Sequence, residues 1–267
     1  MVVVGLLQME PERSKDLAYG KLVEFASEAG SQGAELVCTP EYNLTSFEGH
    51  AESDAESIPG PTTAKLTKLA NRKDIYIVAH LLEKDGSHLY SSAVLIGPKH
   101  QGLVGKYRKV HLRGRRFTPG DGFPVFDAGG FRIGMMLCCD KDFPESTREL
   151  RLSGADLVVS PSACDTVDMK DFEESILRVR AWENMVYIVS VNPAGDDFLG
   201  NSIAVNFAGD IMLRMGPEEG IGLADIRIDK LRRFEKSSLI YDRQPHAYRS
   251  LLVQWWPNTT PPGTTPL

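Results

Sequence analysis

Apolar runs of strand length recur throughout this chain and alternate with segments of helical spacing, and that alternation limits the fold more than any other feature. The strand-like runs fall at 2–7, 35–38, 75–81, 93–96, 132–137, 157–160, 186–191 and 202–207. Between them, segment 15–32 carries Leu17, Ala18, Leu22, Val23, Phe25 and Ala26 at helical spacing, and 63–72 carries Leu66, Leu69 and Ala70. Two further helices are expected at 146–153 and 171–183. An α/β order of this kind must cover its sheets with helices. Periodicity alone leaves open whether there is one doubly wound sheet or two sheets packed together. The length of 267 residues is within the range of a single α/β domain.

Several chemically active side chains fall where these runs stop. Ile133-Gly134-Met135-Met136-Leu137 ends at Cys138-Cys139-Asp140, which places a thiol at a strand's carboxyl end, where α/β proteins gather their sites. The run 34–38 breaks at Thr39-Pro40, since proline cannot extend a central ladder, and delivers Glu41 to a similar position. Beyond the strand at 93–96 comes Gly105-Lys106-Tyr107-Arg108-Lys109-Val110-His111-Leu112, from which Lys106 or Lys109 reaches the same mouth. A thiol with an ordinary pKa near ~8.5 needs a base or a cation to present thiolate at neutral pH. A carboxylate and a lysine would supply both.

Pro40-Glu41, Tyr107-Arg108-Lys109-Val110-His111-Leu112 and Cys138-Cys139-Asp140 with Phe143-Pro144-Glu145 resemble, in order, the three signatures of the nitrilase superfamily, the carbon-nitrogen hydrolases. Ile58-Pro59-Gly60-Pro61, Phe117-Thr118-Pro119-Gly120-Asp121, Arg180-Ala181-Trp182-Glu183-Asn184 and Gly200-Asn201-Ser202 extend the likeness to about Tyr248. The resemblance implies an αββα four-layer sandwich. It implies Glu41 as general base, Lys109 as the cation that stabilises the tetrahedral intermediate, Cys138 as nucleophile, and the backbone N–H of Cys139 in the oxyanion hole. The implied reaction is cofactor-independent hydrolysis of a small linear amide or N-carbamoyl compound through a thioester. Neither a metal nor a cofactor is expected. The implied assembly is a homodimer or higher homo-oligomer.

The chain also departs from that pattern. Relatives commonly place a second glutamate where this chain reads Arg113-Gly114-Arg115-Arg116, and no carboxylate occurs between Lys109 and Asp121. Ser91 stands where asparagine is usual, and Val78-Ala79-His80 where glycine is common. Two alternatives therefore stand beside the hydrolase: a binding or regulatory homologue with impaired turnover, and an amide-forming acyl transferase. Arg113, Arg115 and Arg116 read either as a solvated loop or as recognition of a substrate carboxylate, since guanidinium forks bind carboxylates in pairs. Cys164 is expected to line the pocket or to pack, and Cys38 to be a buried small hydrophobe. His111 and Asp140 are expected to bond backbone and neighbours, Glu145 to start a helix and Glu183 to sit in a buried network or an interface.

A net charge of −6 argues against a nucleic-acid partner. No apolar run is long enough for a membrane span, and the N-terminus reads as a strand and not a signal peptide, so a cytoplasmic protein is expected. The hydrolase domain is expected over 1–250. Segment 251–267, with Trp255-Trp256 and a proline-rich tail, is expected to be an interface element or an unstructured extension.

Overall fold

The computed structural model describes residues 1–45, 52–165, 170–235 and 239–252. In chain order these hold β1 (Val2–Gln8), α1 (Lys15–Ser31), β2 (Leu36–Cys38), α2 (Pro61–Lys73), β3 (Tyr76–Asp85), β4 (His88–Gly97) and β5 (Gly102–Arg108). The second half holds β6 (Val125–Asp127), β7 (Arg132–Met135), α3 (Pro144–Leu152), β8 (Leu157–Pro161), α4 (Lys170–Asn184), β9 (Tyr187–Val191), β10 (Ile203–Val205) and β11 (Ile211–Arg214). Strand β12 (Gly220–Ile226) and helix α5 (Ile228–Glu235) follow.

The strands form two six-stranded sheets, ordered β12-β1-β2-β3-β4-β5 and β11-β10-β9-β8-β7-β6. Each sheet has three parallel strands at its heart, β1-β2-β3 in one and β7-β8-β9 in the other, with antiparallel neighbours outside them. The structure thus resolves the choice left open by periodicity in favour of two packed sheets.

Strand side chains alternate between faces, and both faces are buried. Leu6, Leu36, Val78, Ala93 and Leu95 face Ile133, Met135, Leu157, Val159 and Val189 across the gap between the sheets. Leu7, Val37, Ile77, Val94 and Ile96 point the other way, onto Leu22 and Ala26 of α1 and Leu66 and Leu69 of α2. Val158 and Ile188 pack outward onto Leu150 of α3 with Leu177 and Ala181 of α4. Helix, sheet, sheet, helix is the resulting order of layers. At the sheet margin β5 approaches β6 closely at Gly105, where a Cβ would overlap the Phe126 ring. Cys38 is fully buried in the central layer, and burial raises its pKa.

Four of the twelve strands escape an apolar-run reading. Strands β5 and β11 carry polar, half-exposed residues such as Lys106, Arg108 and Arg214, and β6 and β12 are likewise only partly covered. The β3–β4 hairpin also runs past its apolar centre, through Asp85 and His88 around Gly86 in the left-handed region. No helix among the described residues is long and apolar enough to cross a membrane. Residues 253–267, which hold the Trp255-Trp256 anchor and the proline-rich tail, lie outside the described residues.

Candidate active site

The carboxyl ends of β2, β5, β7 and β8 open onto one cavity of about 290 Å3, at the lower end of the range for small-ligand sites. Glu41 follows β2, Lys109 follows β5, Cys138 follows β7 and Cys164 follows β8, and all four line it. A hydrogen bond from the Glu41 backbone N–H to the Ser162 carbonyl, 3.0 Å, ties the mouth of the first sheet to that of the second.

On the first sheet, Lys109 Nζ donates to Glu41 Oε1 at 2.7 Å, with both side chains buried. Lys106, three residues earlier, lies on the opposite face of β5 and pairs with Glu83. The strand's alternation therefore sends Lys109 into the cavity and Lys106 away from it. Behind Glu41 lies a buried chain of polar contacts. The Tyr42 backbone N–H donates to His80 Nδ1 at 3.0 Å, which leaves Nε2 as the protonated nitrogen facing Ser91 Oγ at 2.9 Å. Ser91 Oγ in turn donates to Glu41 Oε1 at 3.4 Å. Lys109 and Ser91 both bond Oε1, and no described residue donates to Oε2.

On the second sheet, Cys138 opens a short 3-10 turn, Cys138–Asp142, with φ of 46°, in a region non-glycine residues seldom occupy. Such strain persists where the surroundings dictate it. Asp140, fully buried, supplies much of that constraint. Its Oδ2 accepts from the Leu137 N–H at 2.9 Å and from the Tyr107 hydroxyl at 2.5 Å. Its Oδ1 accepts from the His111 N–H at 2.9 Å and meets His111 Nδ1 at 2.9 Å. The His111 ring stacks on Phe143, centroids 3.7 Å apart. Helix α4 clamps the same turn: Arg180 donates to the carbonyls of Lys141 and Asp142, each at 3.1 Å, and is held by Glu183 at 3.1 Å. Cys139 turns its thiol away, to the His111 carbonyl at 3.0 Å, while Glu145 lies in the first turn of α3.

Burial pushes the Glu41 pKa up to about 7, against the pull of the Lys109 ammonium. Lys109 itself is raised: burial works to lower it, but the Glu41 carboxylate and Cys138 prevail. The Cys138 thiol is held well below its ordinary value, chiefly by a hydrogen bond from the Cys164 thiol, with burial opposing and the Lys141 and Lys109 charges assisting. Cys164 moves the other way, because it is the donor to Cys138 and its partial burial disfavours a thiolate. The cavity thus holds a thiol whose ionisation is favoured and a carboxyl group whose pKa lies near neutrality, with the Lys109 ammonium bonded to that carboxyl group. That set suits attack on a carbonyl carbon.

Of the three arginines, Arg113 lines the cavity from a largely exposed position and faces Asp142 at 3.5 Å. Arg115 and Arg116 are exposed and outside the lining, and Arg116 lies over the Phe117 ring at 5.5 Å. Two groups with no site role in the sequence reading lie inside: Lys141 and Glu173, both buried and 3.5 Å apart. Lys141 follows Cys138 by three residues, one turn of a 3-10 helix, and that spacing was the available signal. Glu173 had none, since α4 lies far along the chain.

The carbon-nitrogen hydrolase family model matches residues 3–236. A nitrilase from Pyrococcus abyssi is 38% identical over 247 residues, covering 87% of this chain and 92% of its own. An omega-amidase from Homo sapiens is 30% identical over 257 residues, covering 89% and 93%. Among solved structures, an amidase from Nesterenkonia superposes with a TM-score of 0.81 at 25% identity, over 94% of this chain and 96% of that one. With its motifs in order, two packed sheets and a family match across nearly the whole described chain, this protein belongs to the carbon-nitrogen hydrolases of the nitrilase superfamily.

Proposed function

We propose that the chain is an amidase that hydrolyses a small linear amide or N-carbamoyl compound through a thioester on Cys138. The observation that carries this reading is the convergence of Glu41, Lys109 and Cys138 on one small cavity, although they lie far apart in sequence. Cys138 Sγ attacks the substrate carbonyl carbon. Lys109 Nζ and the Cys139 N–H, in the first turn of the 3-10 segment where backbone donors lack helical partners, hold the developing oxyanion. Glu41 Oε2 takes the Cys138 thiol proton as the sulfur attacks and passes it to the departing nitrogen, so that the C–N bond breaks and ammonia leaves. Glu41 then takes a proton from water, whose oxygen attacks the thioester carbonyl; the C–S bond breaks, the acid is released, and Glu41 returns the proton to Cys138.

Relatives named as an omega-amidase and an amidase support the amide class. In a mutant of the Nesterenkonia amidase, acrylamide has undergone Michael addition at the active-site cysteine, and a nucleophilic thiol in that protein fits a nucleophilic Cys138 here. Arg113 at the rim, partly offset by Asp142, favours substrates that carry a carboxylate at the far end.

Ammonia release measured over short aliphatic amides, ω-amides of dicarboxylic acids and N-carbamoyl amino acids tests the reading, with intact-mass spectrometry for the acyl adduct. Turnover by the unaltered chain and its loss, by at least about 10⁴-fold, in Cys138→Ala is expected. An inert panel with no adduct would leave the binding homologue as the better account.

A further inference from the structure

Cys138 is flanked by two lysine–glutamate pairs, and the mechanism above uses only one of them. On the first side stand Glu41 and Lys109. On the other, Lys141 is buried with its Nζ 3.2 Å from the Cys138 carbonyl oxygen, 3.5 Å from Cys164 Sγ and 3.5 Å from Glu173 Oε1. Glu173 reaches in from α4. Its Oε1 is also 3.4 Å from Asn192 Nδ2, while its Oε2 is buried and accepts no hydrogen bond. Burying an ammonium so completely is costly unless its charge is used locally. Each of its contacts belongs to the nucleophile's surroundings or to the carboxylate that anchors it.

We propose that Lys141, anchored by Glu173, is a second cation of the active site and a positioning residue that acts through Cys138. The proposal rests on the reading of Cys138 as nucleophile. Two effects follow from the geometry. The ammonium bonds the Cys138 carbonyl and so braces a turn whose first residue is held at φ of 46°. It also sets a fixed positive charge beside the Cys164 thiol, which is hydrogen-bonded to that of Cys138. The other titratable groups that face the nucleophile are Glu41 and Lys109 from the first sheet, Cys164 from the end of β8 and Glu173 from α4. Tyr42, Cys139, Asp142, Asp165 and Arg113 also line the cavity.

The test compares Lys141→Met, Lys141→Arg and the double variant Lys141→Met/Glu173→Gln with the unaltered chain. The double variant removes both charges and leaves no orphan carboxylate, so it answers the question even if the single change impairs folding. The first readout is the pH dependence of Cys138 alkylation by iodoacetamide, located by peptide mapping; the second is kcat and KM on the best amide. Lys141→Met and the double variant are expected to move the alkylation midpoint up by about half a pH unit or more and to lower kcat by about tenfold with KM little changed. Lys141→Arg should restore most of both. An unmoved midpoint in a folded double variant, with label still on Cys138, would overturn the proposal. Label on Cys139 in the unaltered chain would instead overturn the nucleophile assignment beneath it.

Discussion

Two buried glutamates on the first sheet, Glu41 at the end of β2 and Glu83 on β3, show how the placement of donors sets the charge of one residue type. Glu83 accepts from all sides. Arg108 donates to Oε1 at 2.6 Å and to Oε2 at 3.0 Å, Ser92 Oγ donates to Oε2 at 2.7 Å, and Lys106 also bonds Oε1. Burial opposes its charge, but these donors outweigh burial and its pKa falls. Glu41 is also buried but has Lys109 and a long contact from Ser91 on a single oxygen, so burial prevails and its pKa rises to about 7. The number and placement of donors, set against burial, separates a carboxylate locked into its charge from one whose pKa lies near neutrality.

The most severe way to break this contrast is Glu41→Gln, which keeps the shape and removes the basicity. We expect kcat to fall by about 10³-fold, with the chain still folded by circular dichroism. Retention of more than about a tenth of the activity would mean that another group serves as the base.

Glu83→Gln should show the opposite profile. It leaves Arg108 and Lys106 without their carboxylate, and because both cations are partly exposed the loss is set at about 2 kcal/mol in urea unfolding, with kcat within about twofold of normal. Since the folded pKa of Glu83 is depressed, its stabilisation is present above the ordinary carboxylate range and is lost as pH falls through the folded value. The stability gap between this variant and the unaltered chain should therefore close below about pH 4. A gap independent of pH would contradict the charge-based account.

The pH profile sharpens the comparison further. Protonated Glu41 cannot accept a proton from thiol or water, so kcat/KM should decline as pH falls through about 7. An acid limb centred near 4.5 would indicate that the Lys109 attraction outweighs burial. The smallest expected effect is that of Ser91→Ala. It removes a donor from the ionised form of Glu41 and a partner from His80, and should shift the acid limb upward by a few tenths of a pH unit with a stability loss of about 1 kcal/mol.

Local punctuation accounts for what was legible in the chain. Proline after β2 and the turn residues after β7 mark strand ends, so Glu41 and Cys138 stand out at the places where side chains leave a sheet. Runs apolar on both faces, such as 35–38 and 157–160, announce strands covered on two sides. The motifs in order implied the family, and the family match over 3–236 bears that out. Strands β5 and β6, at a sheet margin and half covered, lack such a pattern; local spacing left Lys106 and Lys109 equivalent, the resemblance implied Lys109, and the pairing of β5 with β4 sets the faces of the two lysines.

By itself, then, the sequence determined the alternation of elements, the buried stripes and the residue types available at strand ends, because each depends on neighbours within a few positions. Only the tertiary structure decided that two sheets stack, that Glu41 and Cys138 from different sheets meet, and that Arg113 alone of its trio lines the cavity. It also decided that His80 and Ser91 stand behind Glu41, and that Glu173 arrives from α4 to pair with Lys141. The reason is physical: contacts between residues tens to hundreds of positions apart arise from layer packing and strand register, and no local pattern encodes the distance between two strand ends.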